Sequence, residues 1–406
     1  MSDFSQNGII STLHDFGTKS TSVIENDLIR FSKERKMELI LPCLYSELED
    51  TALPNIVEEI SKTKYLNHII IGLDKANQLQ AKKAWKFFKK LNNPFTILWN
   101  DGPELKKLDQ ELRRKGLAPS EFGKGRNVWY CIGMAIARDS ARSVALHDCD
   151  IKTYDRRMLA KLFYPVVNPL FNFEFCKGYY PRVANEKMNG RVARLLVFPL
   201  LTALEKTIGK SDYLAFMKSF KYPLAGEFSF RRNVLPELRI SSDWGIEVGI
   251  LSEMQRNFSP QNICQVDLAD TYDHKHQMLS LDDETKGLSR MSIDIIKTFI
   301  KKLATQGNSF SREKFRSLKA TYYRSALDLI DIYRSDADMN GLKFDSHTEE
   351  KAVELFAMNI MKAGEAFILN PMDTPFIPTW SRVKSAIPNF LTRLKKIVND
   401  DNKKYN

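Results

Sequence analysis

Two aspartates separated by one residue, Asp148 and Asp150, come just after the apolar run SVAL at 143–146, with His147 between. A short apolar run of this kind predicts a buried strand, and residues i and i+2 of a strand point to the same side. Two such carboxylates could bind Mg²⁺ or Mn²⁺, because these hard cations prefer oxygen ligands. A second copy of the spacing, Asp336 and Asp338 in a helical region, predicts only a solvated turn between helices. The first pair alone therefore leaves two interpretations open, a metal site and a polar turn.

Histidines form the second group that could ligate a metal. His274 and His276 are also separated by one residue, and they come after another predicted strand. Neutral imidazole is a competent metal ligand, although a pair of histidines is more often a surface feature. If His274 joined Asp150, water and diphosphate oxygens would complete the coordination shell.

Basic residues at two predicted helix starts could bind phosphate. Lys124 lies between two glycines before a helical pattern, where free N–H groups and the helix dipole favour an anion; the alternative is an ordinary loop. Arg191 and Arg194 follow Gly190 and share one face of a predicted helix. Arg191 carries the wrong charge for a first turn, and a bound anion would remove that conflict. Solvated arginines are the alternative.

A glutamate is predicted inside an otherwise apolar helix. Glu247 lies in the segment DWGIEVGILSEM. A buried carboxylate needs a partner. We therefore expect Glu247 to form a salt bridge or to hold a hydroxyl group of a bound substrate.

Alternating strand and helix patterns must position these residues. The apolar, strand-like runs lie at 37–44, 67–73, 95–99 and 143–147, with helical patterns at 76–91 and 126–139. Such alternation predicts an α/β domain with a parallel sheet. Ligands bind beyond the carboxyl ends of parallel strands, which here are the segments LPCLYSE, GLDKAN and HDCD.

The periodicity also predicts a division of the chain. Residues 1–37 are interpreted as an N-terminal helical arm, and 38–280 as the sheet domain. From residue 281 to 406 every pattern is helical, which predicts a helical C-terminal region. We expect this last region to form a homodimer interface.

The composition restricts the class of protein. Hydrophobic content of 43% and charged content of 27% are ordinary for a globular protein. No apolar run has the length of a bilayer span, and the N-terminus lacks the pattern of a secretory signal. The five cysteines are scattered without CxxC spacing, which is typical of reduced thiols. We therefore expect a cytoplasmic protein without a membrane partner.

The net charge of +11 favours an anionic ligand. Nucleic acid, a membrane surface and small anionic substrates all satisfy that requirement. A nucleic-acid-binding protein is the alternative from another functional class, and it predicts salt-sensitive binding without a need for metal. No RNP-like, KH or zinc-finger pattern is present, so we expect no nucleic-acid partner.

Taken in order, the motifs resemble those of the glucosyl-3-phosphoglycerate synthases, which are retaining glycosyltransferases. The resemblance spans about residues 38–280. It rests on the order and spacing of GKG at 123–125, DCD at 148–150, KGYY at 177–180, GRV at 190–192, PLAGE at 223–227 and WGIEVGIL at 244–251. It implies a GT-A domain, the Rossmann-like fold of nucleotide-diphospho-sugar transferases, with a helical C-terminal extension.

The resemblance also implies an activity. Glucose would pass from an NDP-glucose to the 2-hydroxyl of 3-phospho-D-glycerate with retained anomeric configuration, in the presence of Mg²⁺ or Mn²⁺. A mannose donor or a glycerate acceptor is the alternative within this fold family. Both partners, NDP-glucose and 3-phosphoglycerate, are polyanions, which fits the basic charge balance.

The residue roles that this resemblance implies fall into four groups. The metal ligands are Asp150 and His274, with His276 as the alternative to His274. The nucleotide-sugar-binding residues are expected to be Pro42, Cys43, Leu44, Glu47, Asp74, Lys124 and Asp148. The acceptor-binding residues are expected to be Tyr180, Gly190, Arg191 and Val192. Leu224, Ala225 and Gly226 are expected to line the donor sugar at the reacting centre, and Glu247 to hold glucose hydroxyls.

Overall fold

The computed structural model describes residue 6 and the ranges 8–274, 287–373 and 376–405. The strands of these residues are β1 Ser11–Leu13, β2 Met37–Leu44, β3 Leu66–Asp74, β4 Phe95–Trp99, β5 Ser143–Leu146, β6 Phe175–Tyr179, β7 Val183–Ala184, β8 Lys187–Met188, β9 Phe228–Arg231, β10 Ile240–Ser241, β11 Ile263–Asp267 and β12 Phe376–Ile377. The helices are α1 Thr21–Ser32, α2 Ala52–Ser61, α3 Gln78–Phe88, α4 Pro103–Arg114, α5 Lys124–Arg138, α6 Arg156–Val167, α7 Phe198–Ile208, α8 Asp212–Lys218, α9 Ile246–Asn257, α10 Gly287–Ala304, α11 Arg312–Met339, α12 Ser346–Leu369, α13 Trp380–Ala386 and α14 Phe390–Tyr405.

Eight strands form one central sheet in the order β1-β11-β6-β9-β5-β2-β3-β4. Every neighbouring pair is parallel except at β9, which is antiparallel to both β5 and β6. The predicted α/β class and parallel sheet are confirmed.

The sheet separates two apolar cores. Side chains alternate along a strand, so Ile40 and Ile70 contribute to the core on one face. Their neighbours Leu39, Leu41 and Ile69 contribute to the core on the other face. Burial on both faces explains why β2 and β3 read as continuous apolar runs in the sequence.

Parallel pairing brings the carboxyl ends of the strands to one edge. Leu44, the last residue of β2, is in register with Asp74 at the end of β3. Tyr179 and Asp267 are paired in the same way at the ends of β6 and β11. The segments that follow these strands therefore meet at a single edge of the sheet.

The N-terminal segment differs from the predicted helical arm. It contains helix α1, but β1 comes first and pairs in parallel with β11 at one border of the sheet. A three-residue strand is too short to show a two-residue period in the sequence. The domain boundary at residue 37 remains a prediction.

The C-terminal region is helical, as predicted, and it returns to the sheet at its end. The side-chain amide of Asn402 accepts a hydrogen bond from the backbone N–H of Ile97 and donates one to its carbonyl, at 3.0 and 2.8 Å. Helix α14 thereby covers the border strand β4 and pairs the backbone N–H and carbonyl of Ile97.

The second aspartate pair lies on a helix rather than on a turn between helices. Asp336 and Asp338 are exposed in the last turn of α11. The prediction of a turn was wrong, because α11 extends to Met339 before its cap at Asn340. Their solvated position was predicted correctly.

None of the helices in the described part of the chain is both long enough and apolar enough to cross a membrane.

Candidate active site

Three elements bring Lys124, Asp148 and Glu247 together at the carboxyl edge of the sheet. Lys124 is the first residue of α5, Asp148 follows β5, and Glu247 lies in the first turn of α9. The Nζ of Lys124 lies 2.7 Å from Oδ1 of Asp148 and 3.1 Å from Oε1 of Glu247. The lysine of the Gly-rich turn thus pairs with two carboxylates, and Glu247 has the charged partner that its position predicted.

The charges in this cluster act on one another. Desolvation by itself lowers the pKa of Lys124, but the carboxylates of Asp148 and Glu247 outweigh it and raise that pKa above its usual range. For Asp148 desolvation opposes ionisation, and the Lys124 ammonium overcomes it and lowers the pKa of the carboxyl. Both groups are therefore charged at neutral pH.

The second aspartate lies beside the predicted histidine. Nδ1 of His274 lies 4.0 Å from Oδ1 of Asp150. Two hydrogen bonds hold their loops together: the N–H of Lys152 donates to the carbonyl of Asp273 at 2.9 Å, and the N–H of Asp273 donates to the side-chain Oγ1 of Thr153 at 3.1 Å. The alternative ligand His276 lies outside the described residues.

The ligand atoms of Asp148, Asp150 and His274 all lie within 4.8 Å of one another. Two carboxylates and one imidazole are a donor set that suits Mg²⁺ or Mn²⁺. Desolvation and the negative charge of Asp148 raise the pKa of Asp150 to about 7. A divalent cation would relieve this repulsion, so the residues fit the predicted metal.

The segment Leu224–Ala225–Gly226 is pressed against this cluster. A Cβ on Gly226 would lie 2.9 Å from Cγ of Asp148, and closer still to its Oδ2. Beneath it, the buried ammonium of Lys177 donates to the carbonyl of Ala225 at 2.5 Å. Leu224 is half-buried and Ala225 fully buried, so the backbone forms the wall of the cleft here.

Glu227 is a buried carboxylate whose role was not predicted from the sequence. It accepts hydrogen bonds from the hydroxyls of Tyr180 and Tyr272, at 2.5 and 2.7 Å. The two rings stack with centroids 3.6 Å apart. Tyr180, expected to bind the acceptor, thus has its hydroxyl engaged with Glu227, and it supports the PLAGE segment from below.

Arg182 is a buried cation whose place in the site was not predicted from the sequence. Its guanidinium lies over the ring of Tyr272 at 5.5 Å, and its Nη1 donates to the Tyr222 hydroxyl at 3.2 Å. It is 9% exposed, and its Nε makes no hydrogen bond. Among the described residues no carboxylate pairs with Arg182. The signal available in the sequence was its position just beyond the end of β6, at the ligand-binding edge.

Three of the predicted acceptor residues, Gly190, Arg191 and Val192, follow a tight hairpin. Strands β7 and β8 are joined by Asn185 and Glu186, both with positive φ, as in a type I′ turn. Gly190 also has a positive φ, of 76°, and a Cβ there would lie 3.3 Å from the side chain of Arg182. Val192 is buried.

Arg191 and Arg194 share one face, as predicted, but a glutamate removes the conflict with the helix dipole. Nε of Arg191 and Nη2 of Arg194 lie 2.6 and 2.8 Å from the two carboxylate oxygens of Glu349. The helical turn also differs from expectation: residues 192–197 form a π-helical stretch that continues into α7.

Apart from Lys124 and Asp148, the predicted nucleotide-binding residues lie at or just after the ends of β2 and β3. Pro42, Cys43 and Leu44 end β2, and the N–H of Leu44 donates to Oε2 of Glu47 at 2.8 Å. Burial raises the pKa of Glu47 to about 7 and that of Asp74 to about 6. These residues line the same edge as the metal-ligand candidates.

Comparison with known proteins assigns the family and the fold. No family model matches the chain. It is 42% identical to a glucosyl-3-phosphoglycerate synthase of Persephonella marina, with 99% of each chain covered. A glucosyl-3-phosphoglycerate synthase of Methanococcoides burtonii is 37% identical, with 98% of this chain and 97% of the other covered.

Solved structures share the architecture. The glucosyl-3-phosphoglycerate synthase of Mycobacterium tuberculosis, solved with Mn²⁺, uridine diphosphate and glucosyl-3-phosphoglycerate, aligns with a TM-score of 0.52 at 20% identity over 72% of this chain and 87% of that one. The mannosyl-3-phosphoglycerate synthase of Rubrobacter xylanophilus aligns with a TM-score of 0.54 at 19% identity, over 74% and 83%. The predicted GT-A fold with a helical C-terminal region is confirmed. On the full-length similarity to the first two relatives, the chain belongs to the family of the glucosyl-3-phosphoglycerate synthases.

Proposed function

We propose that this protein transfers glucose from an NDP-glucose to the 2-hydroxyl of 3-phospho-D-glycerate, with retention of the anomeric configuration. The observation that carries the proposal is the convergence of Lys124, Asp148, Asp150, His274 and Glu247 at the carboxyl edge of the sheet, in a chain of this family.

On the donor side, Asp150 and His274, together with Asp148, are the residues that would hold Mg²⁺ or Mn²⁺. When bound, the metal supplies positive charge for the leaving diphosphate. Lys124 adds a fixed ammonium 2.7 Å from Asp148. Because this charge is held in place before the reaction, it stabilises negative charge that develops on the leaving group.

The donor sugar is assigned to the wall formed by Leu224, Ala225 and Gly226, with Glu247 accepting hydrogen bonds from glucose hydroxyls. Lys177 fixes this wall through the carbonyl of Ala225. Among the described side chains we assign no nucleophile. Attack of the acceptor on the donor's own face, with the leaving phosphate as base, accounts for retention without one.

The acceptor is assigned to the arginines beyond β6 and β8. Arg191 would bind the phosphate of 3-phosphoglycerate. Arg182 lies beside Gly190 and has no carboxylate partner among the described residues, so it offers a second positive charge for an anionic group of the acceptor.

A donor–acceptor panel tests the assignment. UDP-glucose, GDP-glucose and GDP-mannose would be combined with 3-phosphoglycerate or glycerate, with and without Mg²⁺. We expect glucose transfer to 3-phosphoglycerate, dependent on metal, and its loss in Asp150→Ala. The matched control is Asp336→Ala, which removes an exposed aspartate of the same spacing from the end of α11. Full turnover by Asp150→Ala would contradict the metal assignment, and equal use of glycerate would contradict the role of Arg191.

We also infer a cytoplasmic homodimer. All five cysteines are buried and free of disulfides, which fits a reducing compartment. Leu369, the last residue of α12, and Met372 just beyond it are 87% and 86% exposed and offer an apolar surface for a second copy. Sedimentation of the wild type and of Leu369→Asp tests the dimer; we expect the substitution to shift the protein towards the monomer, and a monomeric wild type would refute the inference.

A further inference from the structure

We infer that the C-terminal helical region completes the acceptor site, with Glu349 as the positioning residue of Arg191. The inference rests on the proposed function, since it takes Arg191 as a phosphate ligand. The inference gives the C-terminal helical region a role in the reaction, whereas the donor residues proposed above lie in the sheet domain.

The first observation is that the carboxylate of Glu349 is buried and is shared by two arginines. Its side chain is 4% exposed, and each carboxylate oxygen contacts a different arginine. The residue lies in the first turn of α12, where the helix dipole favours a negative charge. A buried carboxylate on a rigid helix fixes its partners more firmly than a solvated one does.

The guanidinium of Arg194, held by Glu349, in turn holds the backbone before Gly190. Its Nε and Nη2 donate to the carbonyls of Asn189 and Met188, at 2.9 and 3.1 Å. The same guanidinium lies over the ring of Tyr333 on α11, at 4.9 Å. Through Arg194, therefore, Glu349 and Tyr333 hold the backbone that leads into Gly190.

Arg191 differs from Arg194 in that its terminal guanidinium N–H groups are available to a ligand. Its side chain is 36% exposed. Within the described part of the chain, Glu349 is the hydrogen-bond partner of its guanidinium, through Nε. The terminal N–H groups of Arg191 therefore remain for an anion, while Nε is held in a fixed position. Preorganisation of this kind lowers the entropic cost of binding.

A second contact holds the hairpin itself. The backbone N–H of Lys343, in the segment between α11 and α12, donates to the carbonyl of Glu186 at 2.7 Å. Lys343 also forms a bridge in parallel register with Lys187. The segment thereby pairs with the β7–β8 hairpin like a short third strand. Two independent contacts thus connect the C-terminal region to the loop that carries Arg191.

The contacts continue to the reacting centre. Gly190 lies against Arg182 and Tyr222, and the Tyr222 ring lies 5.2 Å from that of Tyr180. Tyr180 in turn donates to Glu227, next to Gly226. A displacement of the hairpin would therefore alter acceptor placement before it affected the donor residues on β5 and α5.

The test is steady-state kinetics of Glu349→Gln, with both substrates varied separately. We expect the KM for 3-phosphoglycerate to rise about tenfold or more, because the two arginines lose their fixed position. The kcat and the KM for NDP-glucose should stay within about twofold. Glu350→Gln is the matched control, since it removes an exposed carboxylate from the next position and should leave all three constants unchanged.

Two further measurements separate positioning from loss of folding. Tyr333→Leu removes the ring under Arg194 and should raise the same KM about threefold by the same reasoning. Hydrogen exchange of the amides at 186–194 should be faster in Glu349→Gln, with exchange of β5 unchanged.

Two results would overturn the inference. An unchanged KM for 3-phosphoglycerate in folded Glu349→Gln would exclude a positioning role. A lower KM would show that Glu349 competes with the acceptor instead of supporting it. If the wild type itself gave no turnover with 3-phosphoglycerate, the proposed function would fail, and this inference with it.

Discussion

The ammonium of Lys124 lies 2.7 Å from Oδ1 of Asp148, so the lysine of the Gly-rich turn and the first aspartate of the pair neutralise each other across the cleft. This pair divides the two aspartates by role. Asp148 is held by a lysine, whereas Asp150 faces His274 and has its pKa raised to about 7. Asp150 is therefore the carboxylate that gains most from a divalent cation.

Replacement of Lys124 by methionine should affect the donor more than the acceptor. It leaves Asp148 and Glu247 as two carboxylates without their shared cation, and it removes a fixed charge from the leaving group. We expect kcat/KM for NDP-glucose to fall about 100-fold or more. The exposed Lys115 offers the control Lys115→Met; equal activity of the two variants would show that Lys124 has no part in donor binding.

Gly226→Ala should reduce activity through Asp148. The added methyl group would overlap the Asp148 carboxylate, whose Cγ lies 2.9 Å from the Cβ position. Because the aspartate must move, we expect a loss of about tenfold in kcat, together with weaker Mg²⁺ binding measured by titration calorimetry. Unchanged metal affinity and unchanged kcat would mean that the close packing has no functional consequence.

Arg182→Met should separate stability from function. Arg182 is 9% exposed and has no carboxylate partner among the described residues, so its burial costs stability in the free protein. We expect the melting temperature to stay equal or rise, while the KM for 3-phosphoglycerate rises about tenfold. The control is Arg126→Met: Arg126 is also buried, at 3% exposure, but lies 3.4 Å from Asp109, so its loss should lower the melting temperature. A lower melting temperature for Arg182→Met with an unchanged KM would assign Arg182 a structural role.

The pH dependence of stability should contain a contribution from His68. Burial lowers the pKa of His68 from an ordinary value of 6.5 to about 3, and its Nε2 lies 2.7 Å from Oγ1 of Thr96. The unfolded chain binds a proton below pH 6.5 that the folded protein does not bind, so stability falls as the pH drops through this range. In urea unfolding, His68→Gln should lose about 2 kcal/mol less than the wild type between pH 7 and pH 5.

The exposed His347 supplies the control for this experiment. His347→Gln should follow the wild-type curve at every pH. Parallel curves for His68→Gln and the wild type would contradict the assignment of the slope to His68.

The sequence predicted those parts of the site that follow from sheet geometry. Asp148, Asp150 and Lys124 lie at strand ends or helix starts, and continuous apolar runs predicted a parallel sheet that brings such positions to one edge. His274 was predicted by its type and order in the chain. Their final partners depend on how α5 and α9 approach the sheet, which no local pattern specifies.

The acceptor side was predicted less completely, for a physical reason. The contact between Arg191 and Glu349 joins residues 158 positions apart, and the periodicity of α12 gives no sign of which carboxylate reaches the sheet domain. The π-helical stretch after Arg191 and the strand β1 have no distinct sequence pattern. The position of Arg182 beyond β6 was a weak signal in the sequence, and its burial without an acidic partner among the described residues is seen in the structure alone.

The most direct test of the central claim is identification of the product by NMR, after incubation of the wild-type protein with an NDP-glucose, 3-phospho-D-glycerate and Mg²⁺. We predict a single glucosyl-3-phosphoglycerate, linked through the 2-hydroxyl of the acceptor and carrying the anomeric configuration of the donor. An inverted linkage, transfer to another position, or free glucose as the main product would contradict the account.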